Sequence, residues 1–118
     1  MILKIILWVF LITFFPTGVF ATADGPDHFS VTKVKNWDVL NIRAKPHYKA
    51  NKIGSIPYNG NCVQNLGCEG GLTLKEYSTL TEAQKKAILK KRPRWCKVNY
   101  QGTIGWVNAR YLGEGTCP

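Results

Sequence analysis

From residue 31 onward, short stretches of alternating apolar and polar residues are separated by clusters of turn-forming residues. Residues 31–35 place the apolar Val31 and Val34 among polar residues, and we interpret this pattern as a strand with one buried face. Further extended segments are predicted at residues 39–43, 53–56, 62–66, 95–100 and 103–107, with one helical turn at 108–112. Asn59 and Gly60 form a strong turn signal because both residues tolerate positive φ. Short strands separated by such turns predict a mainly β fold, a small barrel or sandwich of five to six strands.

Residues 72–92 follow a helical pattern instead. One predicted capping box joins Thr73 to Glu76, three residues later. A second joins Thr81 to Gln84. A thin apolar stripe accompanies the second box at Leu80, Ala83, Ala87 and Ile88. Because Pro93 ends this pattern, the sequence predicts a short α-helical insertion at about residues 69–93, between the later strands.

The N-terminal segment has the three parts of a secretory signal peptide. Lys4 supplies an early positive charge, an apolar run follows, and Ala21 and Ala23 suit positions −3 and −1 of a cleavage site. A signal peptide is therefore predicted at residues 1–23, with cleavage after Ala21 as the alternative. A retained anchor is disfavoured because the apolar run of about 15 residues is shorter than the roughly 20 that span a bilayer. We expect an exported protein, periplasmic or secreted, with a flexible lead-in at 24–30, one domain at 31–117 and no transmembrane span after cleavage.

All four cysteines follow the predicted signal peptide, and an even count in a short exported chain predicts disulfides. Cys68 and Cys96 flank the predicted insertion, which favours Cys68–Cys96 together with Cys62–Cys117. The alternative is Cys62–Cys68 with Cys96–Cys117. Zinc is disfavoured because no paired C-x2-C motif occurs, so no metal or other cofactor is expected.

The chain is strongly basic, with a formal net charge of +9. Such a charge outside the cytosol favours anionic envelope components and disfavours nucleic acid on grounds of compartment. The helical insertion contributes a predicted basic patch of Lys85, Lys86, Lys90, Lys91, Arg92 and Arg94.

Two groups of motifs resemble bacterial SH3 (SH3b) domains over about residues 31–113. The first comprises Leu40-Asn41-Ile42-Arg43, Pro46, Ile53-Gly54-Ser55-Ile56 and Gly60, and the second Trp95-x-Lys97-Val98, Gly102-x-x-Gly105-Trp106-Val107 and Tyr111-Leu112. The resemblance implies a small SH3-like barrel, from which the insertion is a departure. Core positions are expected at Leu40, Ile42, Val98, Val107 and Leu112. At Gly105 we expect the backbone to pass beneath a bulky side chain, most simply an aromatic ring.

The resemblance also implies a non-catalytic module that binds peptidoglycan or another envelope component. Exposed aromatic residues are the predicted ligand-binding residues: Trp37, Tyr48, Tyr58 and Tyr100. Catalysis is disfavoured because the sequence has only His28 and His47 as histidine bases and no G-x-S-x-G, H-E-x-x-H or phosphate-binding loop motif. The alternative is an adaptor or inhibitor that binds another envelope protein through the basic insertion.

Overall fold

The computed structural model describes residues 25–118. Its strands are β1 (His28–Val31), β2 (Val39–Arg43), β3 (Lys52–Pro57), β4 (Val63–Gly70), β5 (Arg94–Tyr100), β6 (Thr103–Asn108) and β7 (Leu112–Glu114). Helices α1 (Leu74–Thr79) and α2 (Glu82–Lys91) separate β4 from β5, and a 3-10 helix (Ala109–Tyr111) separates β6 from β7. The predicted signal peptide at 1–23 lies outside the described residues. Within residues 25–118, no helix is long and apolar enough to cross a membrane.

The strands form one curled sheet in the order β3-β2-β6-β5-β4-β1-β7, and the neighbouring strands are antiparallel. Long ladders join β4 to β5 and β5 to β6, whereas β2 meets β6 only where Arg43 pairs with Trp106. The mainly β prediction is confirmed. The described chain has seven strands rather than five to six, because β1 and the three-residue β7 are too short to produce a clear alternating pattern.

The core lies inside the curl of this sheet. Its buried members are mostly aliphatic side chains from different strands: Phe29, Val31, Leu40, Ile42, Ile56, Val63, Cys96, Val98 and Val107. Four of the five predicted core residues are therefore buried. Leu112 is only half-buried, and it packs against the edge of this cluster.

The start of the domain differs from the prediction. His28–Val31 forms a strand that pairs with both β4 and β7, so the predicted lead-in at 24–30 is wrong from His28 onward. Phe29 and Val31 are the buried residues of this strand, so the two-residue period begins earlier than predicted. A strand was predicted at 31–35, but of these residues only Val31 belongs to a strand. At Lys33 the backbone enters the left-handed region, with φ 61°.

Both disulfides of the favoured pairing are present. Cys68 lies directly opposite Cys96 in the β4–β5 ladder, and their disulfide closes the base of the insertion. The second disulfide joins Cys62 to Cys117 and fastens the C-terminal tail to the start of β4. Their sequence separations are 28 and 55 residues.

The insertion follows β4 and consists of α1 and α2. Both predicted capping boxes are confirmed, with Thr73 and Thr81 as the N-caps. At its base, the Gly71 amide donates to the Arg92 carbonyl and the Arg92 Nε donates to the Gly71 carbonyl, each at 3.1 Å. Neither helix contains a buried residue, so these local hydrogen bonds and the neighbouring disulfide hold the insertion.

Glu76 joins both ends of the insertion. Its carboxylate accepts from the Thr73 amide at 2.8 Å and pairs with the Arg92 guanidinium. The Thr73 backbone hydrogen bond, followed by the Arg92 side chain, holds the pKa of Glu76 below its ordinary value. Because folding lowers this pKa, the carboxylate stabilises the insertion above the unfolded-state pKa, and that contribution is lost as the pH falls through the folded-state pKa.

We expect acid to loosen the insertion through Glu76. In an NMR pH titration, the amides of residues 73–92 should shift together as Glu76 becomes protonated. The matched variant is Glu76→Gln, since glutamine also suits the third position of a capping box but does not titrate. An identical acid-induced shift in Glu76→Gln would show that another group is responsible.

Candidate functional site

An open groove of about 350 Å³ lies beside β2, and we call it the β2 groove. It is lined by Lys33, Val34, Lys35, Asp38, Val39, Leu40, Asn41, Arg43, Tyr48, Trp95, Asn108 and Tyr111. These residues come from the loop before β2, from β2 itself and from the β2–β3 loop, and also from the start of β5, the end of β6 and the 3-10 helix. The curl of the sheet therefore assembles a surface that no single segment provides.

Three aromatic side chains line the β2 groove. Tyr48 is 65% exposed, and its ring stacks on His47 with 5.0 Å between the ring centroids. Trp95 is buried and Tyr111 is half-buried, so both expose less of their surface than Tyr48 does. An aromatic surface of this kind suits the apolar faces of sugars and peptides, because an aromatic side chain loses little entropy on binding.

Charges of both signs line the same groove. Arg43 reaches across the β2–β3 loop, where its Nη1 donates to the Ala50 carbonyl at 3.1 Å. Asp38 accepts from the Val39 amide at 2.8 Å, which orients its carboxylate at the start of β2. Lys33 and Lys35 add two more cations. The β2 groove can therefore pair with a ligand that carries both carboxylate and amino groups.

The structure separates the four predicted ligand-binding aromatics. Tyr48 lines the β2 groove, and Trp37 lies in the turn between two lining residues, where it is 79% exposed. The Lys35 Nζ lies 5.5 Å from the centroid of the Trp37 ring. Tyr58 and Tyr100 do not line the groove, and Tyr100 packs against the core.

Sequence reasoning did not place Trp95, Tyr111, Asp38 or Arg43 at a site. Trp95 and Tyr111 belong to the motifs that resemble the SH3b family, and nothing in the local sequence distinguishes an aromatic residue that lines a groove from one inside a core. The useful signal was the loop before β2. It carries two lysines before an exposed tryptophan and an aspartate directly after it, a mixture that a simple turn does not require.

A second groove, of about 590 Å³, lies between α2 and the 3-10 helix, and we call it the α2 groove. It is lined by Lys33, Lys86, Leu89, Lys90, Pro93, Arg94, Asn108, Ala109 and Arg110. Five of these nine residues are cationic and none is acidic. Lys33 and Asn108 line both grooves, so the two are adjacent on the surface.

The predicted basic patch is divided by the fold. Lys86, Lys90 and Arg94 line the α2 groove, whereas Lys91 lines neither groove. Lys85 pairs with Glu82 at 3.0 Å, and Arg92 pairs with Glu76. Two further cations of the groove, Lys33 and Arg110, were missed because they lie far from the insertion in sequence.

One cluster has atoms spaced as in a metal site. His28, Cys62 and Cys117 have their donor atoms within 4.8 Å of one another. Both cysteines are joined in a disulfide, so neither sulfur is available as the thiolate that a metal requires. The other histidine, His47, accepts at Nδ1 from the Lys49 amide at 3.0 Å.

The curled antiparallel sheet has the architecture of a small β-barrel, with the β2 groove and the α2 groove at its surface. A family model described as the bacterial SH3 domain matches residues 38–113. The chain therefore belongs to the bacterial SH3 domain family, and the match runs through the insertion. Comparisons with curated proteins and with solved structures found no match. Membership of this family suggests a binding module.

Proposed function

We propose that this protein is a non-catalytic, exported module that binds peptidoglycan through the β2 groove. The observation that carries the proposal is the lining of that groove, in which aromatic residues lie beside both an aspartate and several cations. The peptide stems of peptidoglycan carry carboxylates and amino groups on short side chains. Such a ligand can lie against Tyr48 while its charges face Arg43 and Asp38.

Export is the second part of the proposal. The signal-peptide pattern at residues 1–23 favours it, and two disulfides among the described residues are consistent with an oxidising compartment. Peptidoglycan is accessible to a protein outside the cytoplasmic membrane, whether that protein is periplasmic or secreted. The location and the ligand therefore fit each other.

The test is co-sedimentation of the oxidised protein with purified peptidoglycan sacculi over a salt series. We expect binding to persist at high salt, because contacts to aromatic surfaces are not screened as exposed charges are. Tyr48→Ala should weaken the binding about tenfold, as expected for the loss of an aromatic contact worth about 1.4 kcal/mol. Trp37→Ala should weaken it less, because Trp37 borders the groove without lining it.

Tyr58→Ala is the matched control, since Tyr58 is also exposed but does not line the β2 groove. We expect its affinity to stay within about twofold of the wild type. Equal losses in Tyr48→Ala and Tyr58→Ala would contradict the placement of the site. Absence of binding to sacculi at every salt concentration would contradict peptidoglycan as the ligand.

A further inference from the structure

The α2 groove has an unusual distribution of charge. Its five cations are Lys33, Lys86, Lys90, Arg94 and Arg110. The two ion pairs formed among residues 25–118 involve neither these residues nor any other residue of the groove. Five cations without a facing carboxylate repel one another, and an anionic ligand would relieve that repulsion.

The base of the insertion positions one of these cations. Gly71 has φ +76°, and a Cβ built there would lie 2.9 Å from the Arg94 Cβ and 3.5 Å from its Cδ. The aliphatic stem of Arg94 thus packs directly on the Gly71 backbone, and the next residue, Trp95, is buried in the barrel. This packing anchors the stem of Arg94 at the wall of the groove, instead of leaving it as a mobile surface side chain.

Lys33 is held in a backbone conformation that does not suit it. Its φ of 61° lies in the left-handed region, which costs a residue with a Cβ about 1 kcal/mol and which glycine adopts freely. The side chain is exposed and lines both grooves, so it contributes no core packing that would offset this cost. A binding role for the ammonium group explains why the position carries lysine.

The residues that line the α2 groove favour an anionic, non-protein polymer over a protein partner. Protein–protein interfaces are enriched in aromatic residues and depleted of lysine, whereas this groove has three lysines and no aromatic residue. Its apolar residues are the small surfaces of Leu89, Pro93 and Ala109, placed among the cations. The groove therefore offers both cationic and apolar contacts, and a chain in which short carbon segments alternate with anionic groups can use both.

We infer that the α2 groove binds a linear polymer in which phosphate groups are separated by short polyol segments. The phosphates contact the lysine and arginine side chains, and the guanidinium groups of Arg94 and Arg110 each offer a fork that matches phosphate oxygens. The carbon segments lie on Leu89, Pro93 and Ala109. Lys33 and Asn108 line both grooves, but the aromatic residues of the β2 groove do not line the α2 groove, and Lys86 and Lys90 do not line the β2 groove. Variants at Tyr48 and at Lys86 and Lys90 therefore test the two sites independently.

The probe is a synthetic poly(glycerol phosphate) of about 20 repeats, titrated into the oxidised protein by calorimetry at several salt concentrations. Lys86→Gln/Lys90→Gln removes two exposed, unpaired lysines of the groove and should weaken binding about tenfold or more. The slope of log affinity against log salt should fall by about one to two units, since fewer counterions are released.

Lys75→Gln/Lys91→Gln is the matched control. It removes the same charge from the insertion, one lysine from α1 and one from α2, at exposed positions that line neither groove. We expect less than about a threefold loss of affinity and an almost unchanged salt slope. Equal losses in the two double variants would contradict a defined groove and would indicate attraction by net charge alone.

Lys33→Gly separates binding from folding. It should weaken binding about fivefold while the thermal midpoint stays equal to or rises above that of the wild type, because glycine adopts the left-handed conformation freely. Unchanged affinity in Lys33→Gly would contradict the role given to this residue. Poly-L-glutamate of equal charge number should bind more weakly, and equal or tighter binding would contradict phosphate recognition and indicate an acidic protein partner.

Discussion

Removal of the disulfide between Cys68 and Cys96 is expected to lower the free energy of unfolding by about 4 kcal/mol. In the chain-entropy model, a cross-link between residues 28 positions apart contributes about 3.5 kcal/mol. Cys96 is also 1% exposed within the core, so its replacement by alanine removes packing as well. The free energy of unfolding of a domain of this kind is about 5–15 kcal/mol, so this single disulfide supplies a large share of it.

Urea unfolding of Cys68→Ala/Cys96→Ala against the oxidised wild type measures this loss. Cys62→Ala/Cys117→Ala is the comparison, and its longer loop of 55 residues predicts a similar loss of about 4 kcal/mol. The two variants should differ at the insertion, because only Cys68–Cys96 closes its base. Binding of poly(glycerol phosphate) should therefore fall further in Cys68→Ala/Cys96→Ala. A loss below about 1 kcal/mol there would show that the β4–β5 ladder closes the base without the disulfide.

Gly105→Ala is expected to lower the free energy of unfolding by about 3 kcal/mol. A Cβ at position 105 would lie 2.6 Å from Ile42 Cγ2, 2.7 Å from the Arg43 carbonyl oxygen and 2.8 Å from Ile53 Cδ1. The Arg43 carbonyl is backbone and cannot move aside as a flexible side chain can. It also lies where β2 meets β6, so the added methyl group separates the strands at the junction that joins the β2–β3 hairpin to the rest of the sheet.

Thermal or urea unfolding of Gly105→Ala gives this value, with Ile104→Ala as the neighbouring control. Ile104 lies on the same strand and is 49% exposed, so its truncation should cost less than about 1 kcal/mol. Because the Arg43 side chain lines the β2 groove, Gly105→Ala should also weaken peptidoglycan binding. If Gly105→Ala unfolds like the wild type, β2 and β6 are not in the close contact described here.

Gly105 also illustrates how far sequence reasoning reaches. A glycine before Trp106 in a strand predicts a close approach, and the approach exists, but the neighbours are Ile42 and Ile53 rather than the expected aromatic ring. A glycine in a strand is enough to predict that a side chain would not fit at that position. The identity of the neighbour depends on how β2 meets β6, which only the closed sheet determines.

The same distinction holds for the rest of the fold. The capping boxes at Thr73 and Thr81 were predictable because they depend on residues three positions apart. The favoured disulfide pairing was predictable because Cys68 and Cys96 flank the insertion. The three-residue β7 and the early start of β1 could not be predicted, because both strands form by pairing with segments that are distant in sequence.

The grooves were the least predictable part. Tyr48 was identified from its type and expected exposure alone, and it does line the β2 groove. Tyr58 was selected by the same reasoning, but it does not line the β2 groove. Lys33 and Arg110 reach the α2 groove from opposite ends of the described chain, so no local pattern joins them to Lys86. A surface built from several elements has no signature in any one of them.

The most direct test of the central claim is an NMR titration of the ¹⁵N-labelled oxidised protein with soluble peptidoglycan fragments that carry a peptide stem. We expect shifts at the β2 groove, above all at Asn41, Arg43 and Tyr48 and at the indole N–H of Trp95, with little change along α2. Shifts confined to α2 and Arg110, or no shift at millimolar fragment, would contradict peptidoglycan recognition by the β2 groove.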